Sequence, residues 1–223
     1  MWRRLSSWVA VLAVVAAACG GETVESEPSI PPGTGADSAV AAVEELVAAI
    51  NEPNFPRASR LAIRGQAALA ALAEGATFGD VAEALAEGDQ EIAANFWSGF
   101  AQGAGNFLSG DVTAVEDGSL AQGEVDFHTI TVTPAGGGTR TVLVREDDGY
   151  RVDLFASFGS ALADKMNAPV ERLLTTQTED ARLILAELQT IVPSLIAAAS
   201  LPGTSGEVSQ KLLALVEVIT RVS

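Results

Sequence analysis

The sequence predicts an α+β fold in which N-terminal helices pack on a four-stranded antiparallel meander and a C-terminal helical hairpin follows. Three observations lead to it. Apolar residues recur at three- and four-residue steps from Val40 to Phe100, at two-residue steps from Val112 to Phe155, and at helical steps again from Ile184 to Val222. The α+β domain is expected over residues 37–158, with the hairpin of residues 159–223 packed on it.

The helices come first. Asp37 or Ser38 can cap a helix in which Val40, Val43, Val47 and Ile50 form one stripe, Glu44 and Glu45 face outward, and Asn51-Glu52-Pro53 ends the run. Pro56 sits where a first helical turn tolerates it. Leu61, Ile63, Ala67, Ala68, Leu69 and Leu72 then carry a second helix to Gly75. Thr77 opens a short third helix with Val81, Ala84 and Leu85 that stops near Gly88, and Asp89 caps a fourth bearing Ile92, Phe96, Trp97 and Phe100. Aromatic residues are only 5% of the chain, so Phe96, Trp97, Phe100 and Phe107 are a concentration of them. They either line a cavity or plug the helix–sheet junction, and aromatic groups at helical spacing are more often core.

The strands follow. Val112 to Val115, Ala121 to Thr133, Thr139 to Arg145 and Tyr150 to Phe155 are separated by Asp117-Gly118, by the Pro134–Gly138 segment and by Asp147-Asp148-Gly149, each a turn-forming group. Val142 and Val144 share one face of their strand, and Tyr150, Val152 and Leu154 share one face of the next. Asp126, His128, Arg151 and Asp153 fall where polar side chains either converge or are solvated. Beyond the sheet Pro169 is expected to begin a long helical stretch. Ile184, Leu188, Ile191, Leu195 and Ala198 make one stripe, with Pro193 as a kink point. Val208, Leu212, Leu215, Ile219 and Val222 make another after Pro202-Gly203. Glu187, Gln189 and Pro193 interrupt the first stripe and argue against a membrane span there.

Ahead of the folded body stands an export signal. Met1 to Ser7 carries Arg3 and Arg4, Trp8 to Val15 is apolar, and Ala16-Ala17-Ala18-Cys19-Gly20-Gly21 is small. As a helix, Trp8–Ala18 would extend about 16 Å, short of the roughly 30 Å hydrocarbon core, so residues 1–18 read as a cleavable signal peptide. Residues 19–36, rich in Gly, Pro, Ser and Glu without apolar periodicity, read as a flexible tether.

Composition excludes several function classes. The net charge of -16 argues against nucleic acid as a partner, and losing Arg3 and Arg4 with the signal makes the mature chain more acidic still. Such a body would be repelled by anionic headgroups, so membrane residence requires an anchor. Cys19 is the one cysteine and His128 the one histidine, which rules out an internal disulfide and a multi-histidine metal site. No serine stands in a G-x-S-x-G frame, and Asp111 occupies the place that the lysine of a phosphate loop would take after Gly105 and Gly110. No cofactor is implied.

Two resemblances rest on these residues. Ala16-Ala17-Ala18-Cys19 resembles the bacterial lipobox, with Ala16 where Leu is usual. The resemblance implies that the Cys19 thiol is diacylglycerol-modified and that the mature chain begins there. Ordinary secretion after a cut at Ala18 is the alternative. The helix pair followed by a meander, whose last hairpin runs from Arg140 through Gly149-Tyr150 to Val152, Leu154 and Phe155, looks like the nuclear transport factor 2-like superfamily over Asp37 to Phe155. That resemblance implies a cone with a pocket between sheet and helices, for which Phe96, Trp97, Phe100, Asp126, His128 and Tyr150 are the candidate lining. Its cyclases and dehydratases use a pocket Asp and His in acid–base work, which makes Asp126 and His128 the residues to test. The first reading is nevertheless a non-catalytic binding or accessory module of the cell envelope. It would be extracytoplasmic, lipid-anchored to the bacterial cell membrane, and take a small apolar ligand or another envelope protein. A structural module docking through the C-terminal helices and an acid–base enzyme are the alternatives.

Overall fold

The computed structural model describes residues 35–63, 65–73, 85, 90–104, 110–175 and 179–221. Cys19, the signal peptide, most of the tether, the third helix apart from Leu85, and Phe107 lie outside them.

The order is α+β as expected: helices, a four-stranded antiparallel sheet, then helices. Helix α1, Ala39–Asn51, begins where the Ser38 hydroxyl accepts from the Ala41 N–H at 3.1 Å, and it buries Val43, Leu46, Val47 and Ile50. Helix α2, Phe55–Leu61, is capped by Asn54 and carries Pro56 in its first turn. Helix α3 is Gln66–Ala73 and α4 is Gln90–Ala104. The continuous second helix expected from Pro56 to Gly75 is interrupted, because Ala62 and Ile63 leave helical geometry to reach the sheet. Ala62 makes a parallel bridge with Val152, and the Ile63 N–H donates to the Val152 carbonyl at 3.1 Å.

The sheet comprises β1, Val112–Gln122; β2, Val125–Pro134; β3, Arg140–Glu146; and β4, Tyr150–Val152, in that spatial order. Asp117-Gly118 is not the first turn. It is a bulge inside β1, with the pairing shifted between Glu116 and Gly118, and Thr131 Oγ1 donates to the Asp117 carboxylate across it. The reversal comes at Gly123-Glu124, where Gly123 has φ +65° and the flanking pair is Gln122 with Val125. The fourth strand is also shorter than its alternation implied. Asp153 accepts from the Ala156 N–H at 2.8 Å and so caps a helix, which turns Leu154 and Phe155 inward as helical residues.

The helices after the sheet are α5, Leu154–Thr175; α6, Glu179–Thr190; α7, Val192–Ser200; and α8, Gly206–Thr220. Helix α5 runs through Pro169, which starts nothing, and it also crosses the boundary expected after Phe158. Pro193 breaks the chain between α6 and α7 by lying in the first turn of α7. Helices α7 and α8 form the hairpin across Leu201–Ser205, and Pro32–Ser223 make one compact unit. Among the described residues, one stretch, Ala181–Ser200, is long and apolar enough to cross a bilayer by length and composition. Its Leu188, Ile191, Ser194 and Leu195 are fully buried in the core.

Both faces of the sheet are covered. Ile130, Val132, Val142, Val144 and Val152 point to the face that α1 covers, while Phe127 and Leu143 point to the other and meet Ala156 of α5 and Ala197 of α7. The outer edge of β4 is sealed at both ends of the strand by Ala36, which exchanges backbone hydrogen bonds with Tyr150 at 2.8 and 2.9 Å, and by Ala62. Gly35 and Ala36 thus belong to the folded body and not to the tether. Gly35 must lack a side chain, since a Cβ there would lie 2.6 Å from the Tyr150 carbonyl oxygen.

Candidate functional site

The expected pocket lies between the sheet and the helices, and under α1 that space is filled. Val43, Leu46 and Val47 pack into Ile130, Val132, Val142 and Val144, all essentially without solvent exposure. Phe96, Trp97 and Phe100 form the plug. Their rings meet Phe158 of α5 through Phe100 at 5.0 Å, and Trp97 Nε1 donates to Ser59 Oγ at 2.9 Å. None of these three rings lines either of the open spaces described next.

The first open space, a groove of about 610 Å³, lies at the β1–β2 turn and is lined by Ser119, Asp126, His128, Arg145 and Glu146 among others. Asp126 and His128 share a strand face as their spacing demands, but the partner of His128 is Glu116. Nδ1 lies 2.7 Å from Oε1 across the β1–β2 ladder, and the Tyr150 ring stands edge-on at 5.2 Å. Asp126 is exposed. No group of three metal-binding side chains occurs among the described residues. The His128–Glu116 pair is partly solvated on both sides, where such pairs contribute little. His128→Ala and Asp126→Asn are therefore each expected to change stability by no more than about 1 kcal/mol, read from denaturant midpoints.

Arg151 and Asp153 belong to different networks and do not join His128. Arg151 is buried and donates to the carbonyls of Asp147, at 2.9 Å from Nε, and of Arg60, tying the β3–β4 turn to α2. Asp153 is wholly buried: besides capping α5, it accepts from Ser194 Oγ of α7 at 2.7 Å, with Arg145 Nη1 at 3.6 Å. Ser194 in turn accepts from Gln66 Nε2 at 3.3 Å, and Gln66 Oε1 accepts from the Leu154 N–H at 2.8 Å. Burial raises the Asp153 pKa above the ordinary aspartate value, outweighing these hydrogen bonds and Arg145.

The second open space is a cleft of about 520 Å³ on the sheet face opposite α1. One wall is Thr131, Thr141 and Arg140 of β2 and β3; another is Ser157, Gly159 and Ser160 of α5; the third is Leu201–Ser205 with Val208 at the start of α8. Ser157 Oγ accepts from the Leu143 N–H at 2.9 Å and donates to the Leu143 carbonyl at 3.2 Å, which sets the spacing between α5 and β3. Arg140 is held by donation from Nη2 to the Ser157 carbonyl at 3.2 Å and by stacking at 4.5 Å over Phe158. Burial lowers its pKa, and guanidinium remains a cation at neutral pH regardless. Ser205 caps α8 by accepting from the Val208 N–H at 3.3 Å, so the positive end of that helix lies on the cleft rim.

Sequence reasoning missed this cleft. Its walls come from segments far apart in the chain, and hydroxyl groups carry no helical or strand period. One signal was present: Thr129, Thr131 and Thr133 alternate on one face of β2, and Thr131 pairs with Thr141. On that face the threonines follow the buried Phe127, and the change from an aromatic to hydroxyls marks where the face stops being core. No family model matches this chain, and neither a curated protein nor a solved structure does.

Proposed function

We propose that the chain is an extracytoplasmic lipoprotein held to the membrane through Cys19, whose folded body is a non-catalytic binding module of the cell envelope. The observation that carries the binding reading is the cleft between the sheet, α5 and the α7–α8 connection. Its volume of about 520 Å³ falls in the usual range of small-ligand sites, and its walls join the sheet to the C-terminal hairpin. The catalytic alternative is weaker because His128 and Asp126 stand apart from this cleft and pair with no nucleophile. The hydroxyl-rich walls also favour a polar occupant over the apolar one expected from a cone pocket.

Two measurements test the reading. Native mass spectrometry of the body after gentle extraction should report a co-purified small molecule, and Ser160→Trp, which places an indole in the cleft, should abolish that adduct. A retained adduct would sink the cleft assignment. Cys19→Ala should move the protein from the membrane fraction to the soluble one, and continued sedimentation with membranes after a high-salt wash would refute the anchor. A protein-docking reading has one observation in its favour, since Leu183 of α6 and Leu213 of α8 are large apolar residues left 56% and 46% exposed. Leu183→Glu with Leu213→Glu keeps the small-molecule adduct under the first reading and loses a protein partner under the second.

A further inference from the structure

We propose that the outer edge of β1 is a docking site for an extended cationic segment of another protein, which adds to the sheet as a further strand. The inference goes beyond the cleft and does not depend on it. The two edges of the sheet differ. Ala36 and Ala62 close the outer edge of β4, whereas among the described residues no backbone hydrogen bond reaches the outer edge of β1. From Val112 to Glu116 that strand is regular, paired residue for residue with Pro134 to Ile130, and Ala114 is buried in the core. Its outward amide and carbonyl groups are therefore held in line as a template for pairing. Val115 is 56% exposed there, a β-branched side chain with room for a cross-strand neighbour.

Charge selects the occupant. Asp111, Glu116 and Asp117 flank the regular segment, and no lysine or arginine occurs between Asp111 and Asp126. Glu116 contacts the His128 ring and Asp117 accepts from the Thr131 hydroxyl, so among the described residues neither carboxylate meets a lysine or arginine. A second copy is the poorer fit. Antiparallel pairing of two whole β1 strands sets Asp117 opposite its own counterpart, at the bulge, and both bodies carry the same excess of acid. The chain's own tether fits no better. Glu22, Glu25 and Glu27 are its charged residues, and Pro28, Pro31 and Pro32 lack the N–H that a ladder requires. A strand with basic residues at both ends and β-branched residues between them meets the acids at either end and Val115 in the middle.

The peptide Lys-Lys-Val-Thr-Val-Lys-Lys, blocked at both termini, tests this on the full chain in neutral detergent by calorimetry and amide hydrogen exchange. It should bind with a Kd below about 1 mM at low salt, weaken as salt rises, and slow exchange within Val112–Glu116. The same peptide N-methylated at its three central amides keeps every charge but cannot extend a ladder, and should bind at least about tenfold more weakly. Glu116→Gln with Asp117→Asn keeps the side-chain shapes and should weaken the parent peptide at least about fivefold, with melting temperature confirming the fold. No binding, equal binding of the methylated peptide, unchanged affinity in the double variant, or protection confined to other segments overturns the proposal. So does a concentration-dependent dimer in sedimentation that protects Val112–Glu116 without peptide, since the edge then belongs to a second copy.

Discussion

Val152→Asp is expected to leave the protein without a cooperative unfolding transition. Val152 has no solvent exposure, lies opposite Val144, and has Ala62 bridged to its far side. A carboxylate there would have no partner, because the adjacent Arg151 is engaged with the Asp147 and Arg60 carbonyls. Asp153, already buried at the next position, adds a second acid nearby. An uncompensated buried charge costs several kcal/mol, comparable with the roughly 5–15 kcal/mol that holds a domain folded. Thermal melting followed by circular dichroism would show the loss, and Val115→Asp, at a position 56% exposed on the sheet edge, should melt as the parent does. A Val152→Asp protein with the parent's melting temperature would mean that β4 turns its other face to the core.

The second large effect is expected at Asp153. Asp153→Ala removes the cap of α5, worth about 1 kcal/mol, and leaves the buried Ser194 hydroxyl without its acceptor, worth roughly 1–3 kcal/mol more. The loss of about 2–4 kcal/mol should appear as a lower denaturant midpoint with an unchanged slope. A pH signature accompanies it. Because burial raises this group above its ordinary value of 3.8, the folded state keeps its proton at pH values where the unfolded state has lost it. Stability from this group is therefore present below that value and falls as pH rises through the window up to the folded pKa. Glu187, also raised by burial, contributes with the same sign. Asp153→Asn should flatten the decline without removing the part due to Glu187, and an undiminished slope in that variant would show that Asp153 titrates normally.

The parts of this fold written in local chemistry were legible. Ser38 followed by the Val43–Val47–Ile50 stripe predicts α1 with its cap, and the Asp147-Asp148-Gly149 turn forms where the residues place it, with Gly149 at φ +91°. Errors arose where two local signals compete. Asp117-Gly118 and Gly123 both offer a reversal, and only cross-strand pairing decides that the first becomes a bulge. After Tyr150 and Val152, alternation continues to Leu154, but the Asp153 side chain satisfies the Ala156 N–H and converts the next residues to helix. The Gln66–Ser194–Asp153 chain spans residues 128 positions apart, and no spacing within one element announces it. The candidate site was hidden for the same reason. Asp126 and His128 were visible as a pair on one strand, whereas the cleft exists only once β3, α5 and the α7–α8 connection come together.

The closure of β4 by Ala36 bears on how the molecule carries load. Tension applied to the chain ahead of Gly35, as from a body held at a surface while its surroundings flow, enters the fold through the hydrogen bonds of Gly35 to Asp148 and of Ala36 to Tyr150. These bonds lie at the turn of the β3–β4 hairpin, and Ser38 caps α1 two residues further on. A pull that peels Ala36 away next meets the buried face of α1, so the attachment point yields in two stages. The first would uncover only the Tyr150 end of β4, with Ala62 still bridged to Val152 and α1 still packed on the sheet.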